Sequence, residues 1–214
     1  MSSSSQDDKR ILPPLMDFPV RPFPSFIHSV RNWFFTNFLI RPYFDAHFSK
    51  TSFIDGAQVA VEFISNCLAE GDFEALEQSN AVSSECLKEL RRNISLLSMT
   101  DRKRLAVGKE DIVLNFIYQI GIMLDDDTDD GRPTRRHVEI TYSAHYIQDL
   151  GNMESWEARN ISHIHQDVMK DIEAGRQLIV NYRFIREYTK GVEDSWTVNA
   201  LNHATLKDVA NEYD

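Results

Sequence analysis

The feature that most constrains the fold is a change of hydrophobic period at Gly108. Upstream of this glycine, apolar residues recur every three or four positions, which predicts amphipathic helices. The two clearest helical stripes are formed by Phe53, Ala57, Val61, Ile64 and Leu68 and by Leu87, Leu90, Ile94 and Leu97. Downstream of Gly108, apolar and polar residues alternate, which predicts strands. The chain is therefore expected to place its helices first and its strands last.

Four alternating stretches follow the glycine and are expected to be strands, at residues 112–122, 137–146, 178–184 and 196–200. In the first stretch we expect a single apolar face, formed by Ile112, Leu114, Phe116, Tyr118, Ile120 and Ile122. The links at residues 125–134 and 190–195 are too short for crossovers, so neighbouring strands are expected to pair antiparallel. Residues 149–175 fit a loop, a helix or an edge strand. The pattern predicts an α+β fold with helices covering one face of an antiparallel sheet.

The domain organisation is expected to be simple. At 214 residues and 42% hydrophobic, the chain can bury one core. Residues 1–25 contain a serine run and five prolines, which exclude a regular helix and predict a flexible tail. Residues 26–214 are expected to form a single domain.

An aromatic, basic helix is expected at the front of that domain, over residues 26–48. This helix is apolar nearly all round, and Pro42 should kink or split it. Between Lys9 and Lys50 six basic residues face two acidic ones, so this stretch carries a charge of +4, whereas residues 51–214 carry −12. Of the 23 aromatic residues in the chain, 10 lie between Phe18 and Phe48. A basic, aromatic front on an acidic body indicates an interaction surface.

Three interpretations of this helix remain open: packing inside its own domain, docking to a partner groove, or lying at a bilayer interface beside anionic lipid. For the second and third, the candidate contact residues are Arg31, Trp33, Phe34, Phe35, Phe38, Arg41, Tyr43 and Phe44.

Charge and cysteine content exclude several classes of protein. The net charge of −10 argues against nucleic-acid binding, which needs a basic face. Two cysteines do not make a disulfide framework, so a reducing compartment is expected. No run reaches the roughly 20 apolar residues of a spanning helix. The polar, acidic start has no organelle presequence pattern, which predicts an untargeted or already trimmed chain.

Metal sites and a nucleophile are weak candidates in this sequence. Counting back from Gly131, a calcium loop would use Asp126, Thr128 and Asp130, but its closing position falls on His137 rather than a glutamate. Zinc ligands could come from the histidines, yet no cysteine is near them in sequence. The candidate zinc ligands are His137, His145, His163, His165 and His203. Cys67 lies on the apolar side of a predicted helix, where a core role is more common than a nucleophilic one. We therefore expect no metal, no cofactor and no catalytic residue.

One enzymatic alternative stays open. A sheet backed by helices can enclose an apolar pocket in which an acid or a histidine has a shifted pKa. The candidates for such a role are Asp149, His145 and His163, although no spacing links them.

Two stretches resemble the mitochondrial Tim-forty-four-like domain family. Residues 38–49 read Phe-Leu-Ile-Arg-Pro-Tyr-Phe-Asp-Ala-His-Phe-Ser and continue to Phe-Ile-Asp-Gly-Ala at 53–57. Residues 182–192 read Tyr-Arg-Phe-Ile-Arg-Glu-Tyr-Thr-Lys-Gly-Val, followed by Trp-Thr-Val at 196–198. The spacing between the stretches also fits, so the resemblance covers roughly residues 30–207. These are motifs of fold and packing rather than of catalysis.

The resemblance implies a curved sheet in a cone like that of cystatins and nuclear transport factor two. It further implies a non-catalytic protein of the mitochondrial matrix, peripheral to the inner membrane, that binds the matrix AAA protease. Its clients would be newly imported small hydrophobic inner-membrane proteins, such as a regulatory subunit of the calcium uniporter. A tether for mitochondrial ribosomes or for the import motor is the alternative within the same fold.

Overall fold

The computed structural model describes residues 12–125, 135–148, 177–206 and 209. Helices precede strands along the chain, as the change of period predicts. The helical elements are α1 (Phe26–Phe34), a π-helix (Phe35–Ile40), α2 (Arg41–Tyr43), α3 (Lys50–Glu70), α4 (Phe73–Ser79), α5 (Ser84–Ile94), α6 (Met99–Lys103) and a 3-10 turn (Lys109–Asp111). The strands are β1 (Ile112–Asp125), β2 (Arg135–Ile147), β3 (Gln177–Glu187) and β4 (Thr197–Thr205).

The strands form one open antiparallel sheet in the order β1-β2-β3-β4. Strands that are neighbours in sequence are therefore neighbours in the sheet. The α+β fold class is therefore confirmed. The division into a tail at 1–25 and a single domain at 26–214 stays a prediction as a whole, since parts of both ranges lie outside the described residues.

The core lies between the helices and one face of the sheet. On α3 the predicted stripe is buried at every position, and on α5 Leu87, Leu90 and Ile94 are buried. The facing side of the sheet contributes the alternate residues Val138, Ile140, Tyr142, Ala144 and Tyr146 of β2. Helix α3 ends at Gly71, whose φ of 78° is a left-handed conformation that glycine adopts without steric cost.

The predicted single face of β1 is wrong in its first half. Two register irregularities interrupt the β1–β2 pairing, between Ile112 and Leu114 and between Ile117 and Gln119. Each irregularity changes which side of the sheet the following residues face. Residue Ile117 consequently packs against the core, whereas Phe116 pairs with Ser143 on the opposite face.

The predicted tail differs from the structure over residues 12–25, which we call the strap. Its first part contacts α5, through Leu15 and Met16, and its later part, around Arg21 and Pro22, packs against the sheet face that is turned away from the helices. Leu12 and Leu15 of the strap are buried in the core, and the backbone of Arg21 is bonded to side chains of β2 and β3. The prolines exclude a helix but permit an extended segment that other elements can bind.

No helix in the described part of the chain is long and apolar enough to cross a membrane.

Candidate interaction surface

The buried residue of α1, Asn32, makes most of the hydrogen bonds between this helix and the edge of the sheet. The side chain of Asn32 donates to the carbonyl oxygens of Ile117 (3.3 Å) and Tyr118 (3.0 Å) and accepts from the amide of Ile120 (2.8 Å). These backbone groups lie at the second irregularity of β1, where regular strand pairing is interrupted. Asn32 thus satisfies backbone groups of an edge strand and fixes the position of α1.

The local sequence explains where this helical segment begins and how it changes. Ser25 is the N-cap of α1, with its hydroxyl accepting from the amide of His28. The π-helix lies directly before Pro42, which has no amide hydrogen to continue the α-helical pattern. The helical segment nevertheless continues past Pro42 to Tyr43, so the proline does not split it, and the segment ends before the predicted limit at Phe48.

The outward side of this helical segment is an exposed apolar stripe. We define the apolar stripe as Phe26, Ile27, Val30, Trp33, Phe34 and Phe38, which are between 47% and 83% exposed. Their spacing of three, four or seven residues places them on one side of the helix. Phe38 links three of the rings, because it stacks on Phe34 at a centroid distance of 5.0 Å and meets Trp33 edge-on at 5.7 Å.

The structure separates the predicted aromatic contact residues into two groups. Trp33, Phe34 and Phe38 come together in the stripe, and Tyr43 beyond them is 69% exposed. Phe35 and Phe44 instead pack against the core. Phe44 meets the ring of Tyr188 edge-on at 5.8 Å. An exposed partner-binding role therefore fits the first group better than the second.

The two predicted basic residues are both engaged with their own chain. Arg31 donates to the carbonyl of Ile120 at 3.5 Å, and its guanidinium lies 5.6 Å from the ring centre of Phe35. Arg41 is exposed but donates to the carbonyl of Phe48 (3.2 Å) and to the side chain of Asn37 (3.2 Å). Burial lowers the pKa of Lys50, and the positive charge of Arg41 lowers it further.

Sequence reasoning missed three exposed residues that precede Trp33 in the apolar stripe. Phe26, Ile27 and Val30 extend the exposed surface toward the N-terminus and are between 53% and 83% exposed. A helical count backward from Trp33 and Phe34 passes through these positions, so the signal was present in the sequence. It was missed because a helix that is apolar nearly all round does not reveal which side faces its own domain.

Neither cysteine has the surroundings of a nucleophile. Cys67 and Cys86 are buried and free. Burial raises the pKa of the Cys67 thiol and raises that of Cys86 to about 12, so both stay protonated at neutral pH. Both are core residues on the inner sides of α3 and α5.

The proposed acid–base group can be examined only at His145. The ring of His145 bonds the carbonyl oxygen of Pro22 through Nε2. Its Nδ1 lies 3.3 Å from the side-chain amide nitrogen of Gln177. Burial lowers the pKa of His145, which favours the neutral ring. Both ring nitrogens are used in holding the strap and β3, while Asp149 and His163 lie outside the described residues.

A second buried histidine lies in the core. Nε2 of His203 is 2.9 Å from the hydroxyl of Tyr182, and both side chains are almost completely buried. Burial lowers the pKa of His203 to about 3. The pair is packed among core side chains, including the fully buried Tyr146.

The calcium and zinc candidates lie largely outside the described residues, at 126–134 and 163–165. Within the ranges that are described, no group of three or more metal-ligating side chains occurs.

Comparison with known proteins gives one consistent relationship. The chain is 31% identical over 180 residues to "m-AAA protease-interacting protein 1, mitochondrial" of Rattus norvegicus and of Mus musculus, and 30% identical over 179 residues to the protein of that name from Homo sapiens. Each alignment covers 82% of this chain and 58% of the relative, so the chain spans less than two thirds of those proteins. No family model and no solved structure matches. By sequence, the chain is a relative of m-AAA protease-interacting protein 1.

Proposed function

We propose that this chain is a non-catalytic mitochondrial adaptor that binds the matrix AAA protease of the inner membrane. Two independent facts support the proposal. The relatives, similar over most of this chain, are named for an interaction with that protease. The described structure presents an exposed apolar stripe, which is the single observation that carries the binding role. Large exposed apolar patches on a folded domain commonly mark sites of interaction with a protein or a membrane.

The apolar stripe has the composition of a binding surface rather than of an incidental patch. Trp33, Phe34 and Phe38 are large rings that contact one another and stay at least 47% exposed. Aromatic residues dominate the energetically important centres of protein interfaces. A groove on a partner could cover this helix side in the way that amphipathic helices are commonly bound.

We extend the proposal to the clients and to the membrane. The adaptor would sort and protect newly imported small inner-membrane proteins, such as a regulatory subunit of the calcium uniporter, from the protease. It would work in the matrix, peripheral to the inner membrane. The stripe, with Tyr43 and Arg41 beside it, would contact anionic lipid, since aromatic rings and cations favour the bilayer interface.

Affinity capture from intact mitochondria tests the adaptor role. The wild-type chain should retain subunits of the matrix AAA protease and small inner-membrane proteins. A variant with Trp33→Ser, Phe34→Ser and Phe38→Ser should lose them. The matched control is Leu96→Ser with Met99→Ser, which removes two residues that are 80% and 65% exposed elsewhere on the surface. Recovery of ribosomal proteins or of the import motor in place of the protease would favour a membrane tether.

Liposome flotation tests the membrane part separately. The wild-type chain should float with vesicles containing anionic lipid and should float less with neutral vesicles. Reversing charge with Arg41→Glu should reduce flotation, whereas Arg91→Glu, on α5, should not. Equal flotation of the two variants would remove Arg41 from the membrane-contact residues.

A further inference from the structure

The strap is held by a row of polar side chains that crosses three strands. Asn202 of β4, Asn181 of β3 and Ser143 of β2 are direct register partners, so they form a line across the sheet. All three are between 0% and 4% exposed beneath the strap. Asn181 also donates to Ser143 at 3.1 Å, which links the row internally.

Every hydrogen bond from this row to the strap reaches a main-chain atom. Asn202 accepts from the amide of Leu15 at 2.8 Å and donates to the carbonyls of Met16 and Phe18 at 3.3 and 2.9 Å. Asn181 accepts from the amide of Arg21.

The row is extended at both ends in the same way. Ser143 donates to the carbonyl of Arg21 at 2.8 Å, and the ring of His145 bonds the carbonyl of Pro22. At the other end, Asn93 of α5 donates to the carbonyl of Leu15 at 2.7 Å. The strap is therefore held by its main chain, along a path that bends at residues 15–17, and not by its polar side chains.

Side-chain contacts between strap and body recur every third residue. Leu12 and Leu15 are buried in the core, and the ring of Phe18 lies under the guanidinium of Arg183 at 5.6 Å. Arg21 comes next in this series, with its guanidinium 5.7 Å from the ring centre of Tyr118. These four side chains are spaced three residues apart along the strap, and the prolines between them restrict the backbone that presents them.

We propose that the surface that holds the strap is a peptide-binding groove, that the strap occupies it in cis, and that a segment of a partner protein able to follow the same path can take the strap's place. The partner segment would carry proline, leucines at its first and fourth positions and an aromatic residue at its seventh. The chemistry follows from the contacts above: the main-chain hydrogen bonds accept any segment that adopts this path, and the leucine and aromatic positions select among such segments. The groove is separate from the apolar stripe, so it would exist whether or not the stripe binds a protease.

The test uses the full-length chain and a fluorescent peptide of residues 12–25. In a variant with Leu12→Ser and Leu15→Ser, the strap loses its buried anchors and should leave the groove open. The peptide should bind this variant about tenfold more tightly than it binds the wild-type chain, because the wild-type strap competes at high effective concentration. The control peptide carries serine at the same two positions and should not bind. If the variant has a wild-type circular dichroism spectrum yet binds both peptides alike, the groove does not exist as proposed.

Hydrogen exchange on the wild-type chain gives a second test that does not depend on the variant. The amides of Leu15 and Arg21 should exchange through local opening, at a lower free energy than the amides of β2 and β3. Exchange of these two amides only together with the whole sheet would show that the strap never leaves, and would overturn the inference.

Discussion

At the scale of single residues, Asn32 has an effect out of proportion to its size. It is the fully buried residue of α1, and its amide group bonds three backbone groups of β1. A buried backbone group that loses its partner costs about 1–3 kcal/mol, and three such groups depend on this side chain. The attachment of the exposed stripe to the body therefore rests largely on one asparagine.

Replacing Asn32 with leucine should lower the free energy of unfolding by about 3 kcal/mol, because an apolar side chain cannot satisfy the irregular part of β1. The urea midpoint measures the loss. Asn37→Ala is the matched control, since Asn37 is only half-buried and its bonds to Trp33 and Arg41 are local; it should change stability by less than about 1 kcal/mol. Equal losses in the two variants would mean that Asn32 does not fix α1.

Stability should fall as the pH is lowered, because two histidines are buried in neutral form. Burial lowers the pKa of His145 and lowers that of His203 to about 3, below the ordinary value of 6.5. Below about pH 6.5 the histidines of the unfolded chain become protonated. In the folded chain, His203 stays neutral until the pH approaches 3. Across that window His203 lowers the free energy of unfolding by up to about 1.4 kcal/mol per pH unit, and His145 acts in the same direction.

The variant His203→Gln should reduce this pH dependence while keeping a partner for Tyr182. Urea denaturation between pH 7 and pH 4 measures the slope. His47→Gln, at an exposed position, is the matched control for the substitution of a histidine. An unchanged slope in His203→Gln would show that this ring is not kept neutral by the fold.

At the scale of elements, α1 and α3 differ sharply in how firmly they are held. Helix α1 buries one residue, whereas α3 buries seven. Local stability follows the number of buried contacts that an element makes. Amides of α1 should therefore exchange with solvent faster than those of α3 in a hydrogen-exchange experiment. Equal protection of the two helices would contradict the view that α1 is held less firmly than α3.

The order of elements was predictable because it depends on local signals. Helical stripes and strand alternation extend over a dozen residues each, and the change between them at Gly108 separates the two halves of the chain. The irregularities of β1 were not predictable, because an extra residue in a strand has no characteristic residue type in this sequence. As a result, Leu114 and Phe116 were assigned to the wrong face.

The strap was not predictable for a different reason. Its prolines suit a free tail and a docked extended segment equally well. The residues that bind it lie far away along the chain: Asn202 is separated from Leu15 by 187 positions and Asn181 from Arg21 by 160. In the sequence, both asparagines are simply polar positions of alternating strands.

For the candidate site, composition identified the segment but not the outward side of its helix. Phe34 and Phe35 are the same residue type at adjacent positions, yet the first lies in the stripe and the second packs on the core. The phase of the helix decides between them, and that phase is set by Asn32 on β1 and by the π-helix before Pro42. Neither constraint is visible as a pattern in the sequence.

At the scale of the whole molecule, the sheet is covered on both faces by its own chain. The helices pack on one face and the later part of the strap on the other, while α1 lies along the β1 edge with its stripe outward. The charge is distributed unevenly along the chain, +4 over residues 9–50 and −12 over residues 51–214. With a locally basic helix on an acidic body, the electrostatic field of the molecule would orient the apolar stripe toward the partner during association.

The most direct test of this account is the affinity of the purified chain for the purified matrix AAA protease. Trp33→Ser, Phe34→Ser and Phe38→Ser together should weaken binding at least about tenfold, because the central rings of an interface carry most of its energy. Leu96→Ser with Met99→Ser should leave the affinity unchanged. Wild-type affinity in the stripe variant, with its fold intact by circular dichroism, would contradict the claim that the apolar stripe is the binding surface.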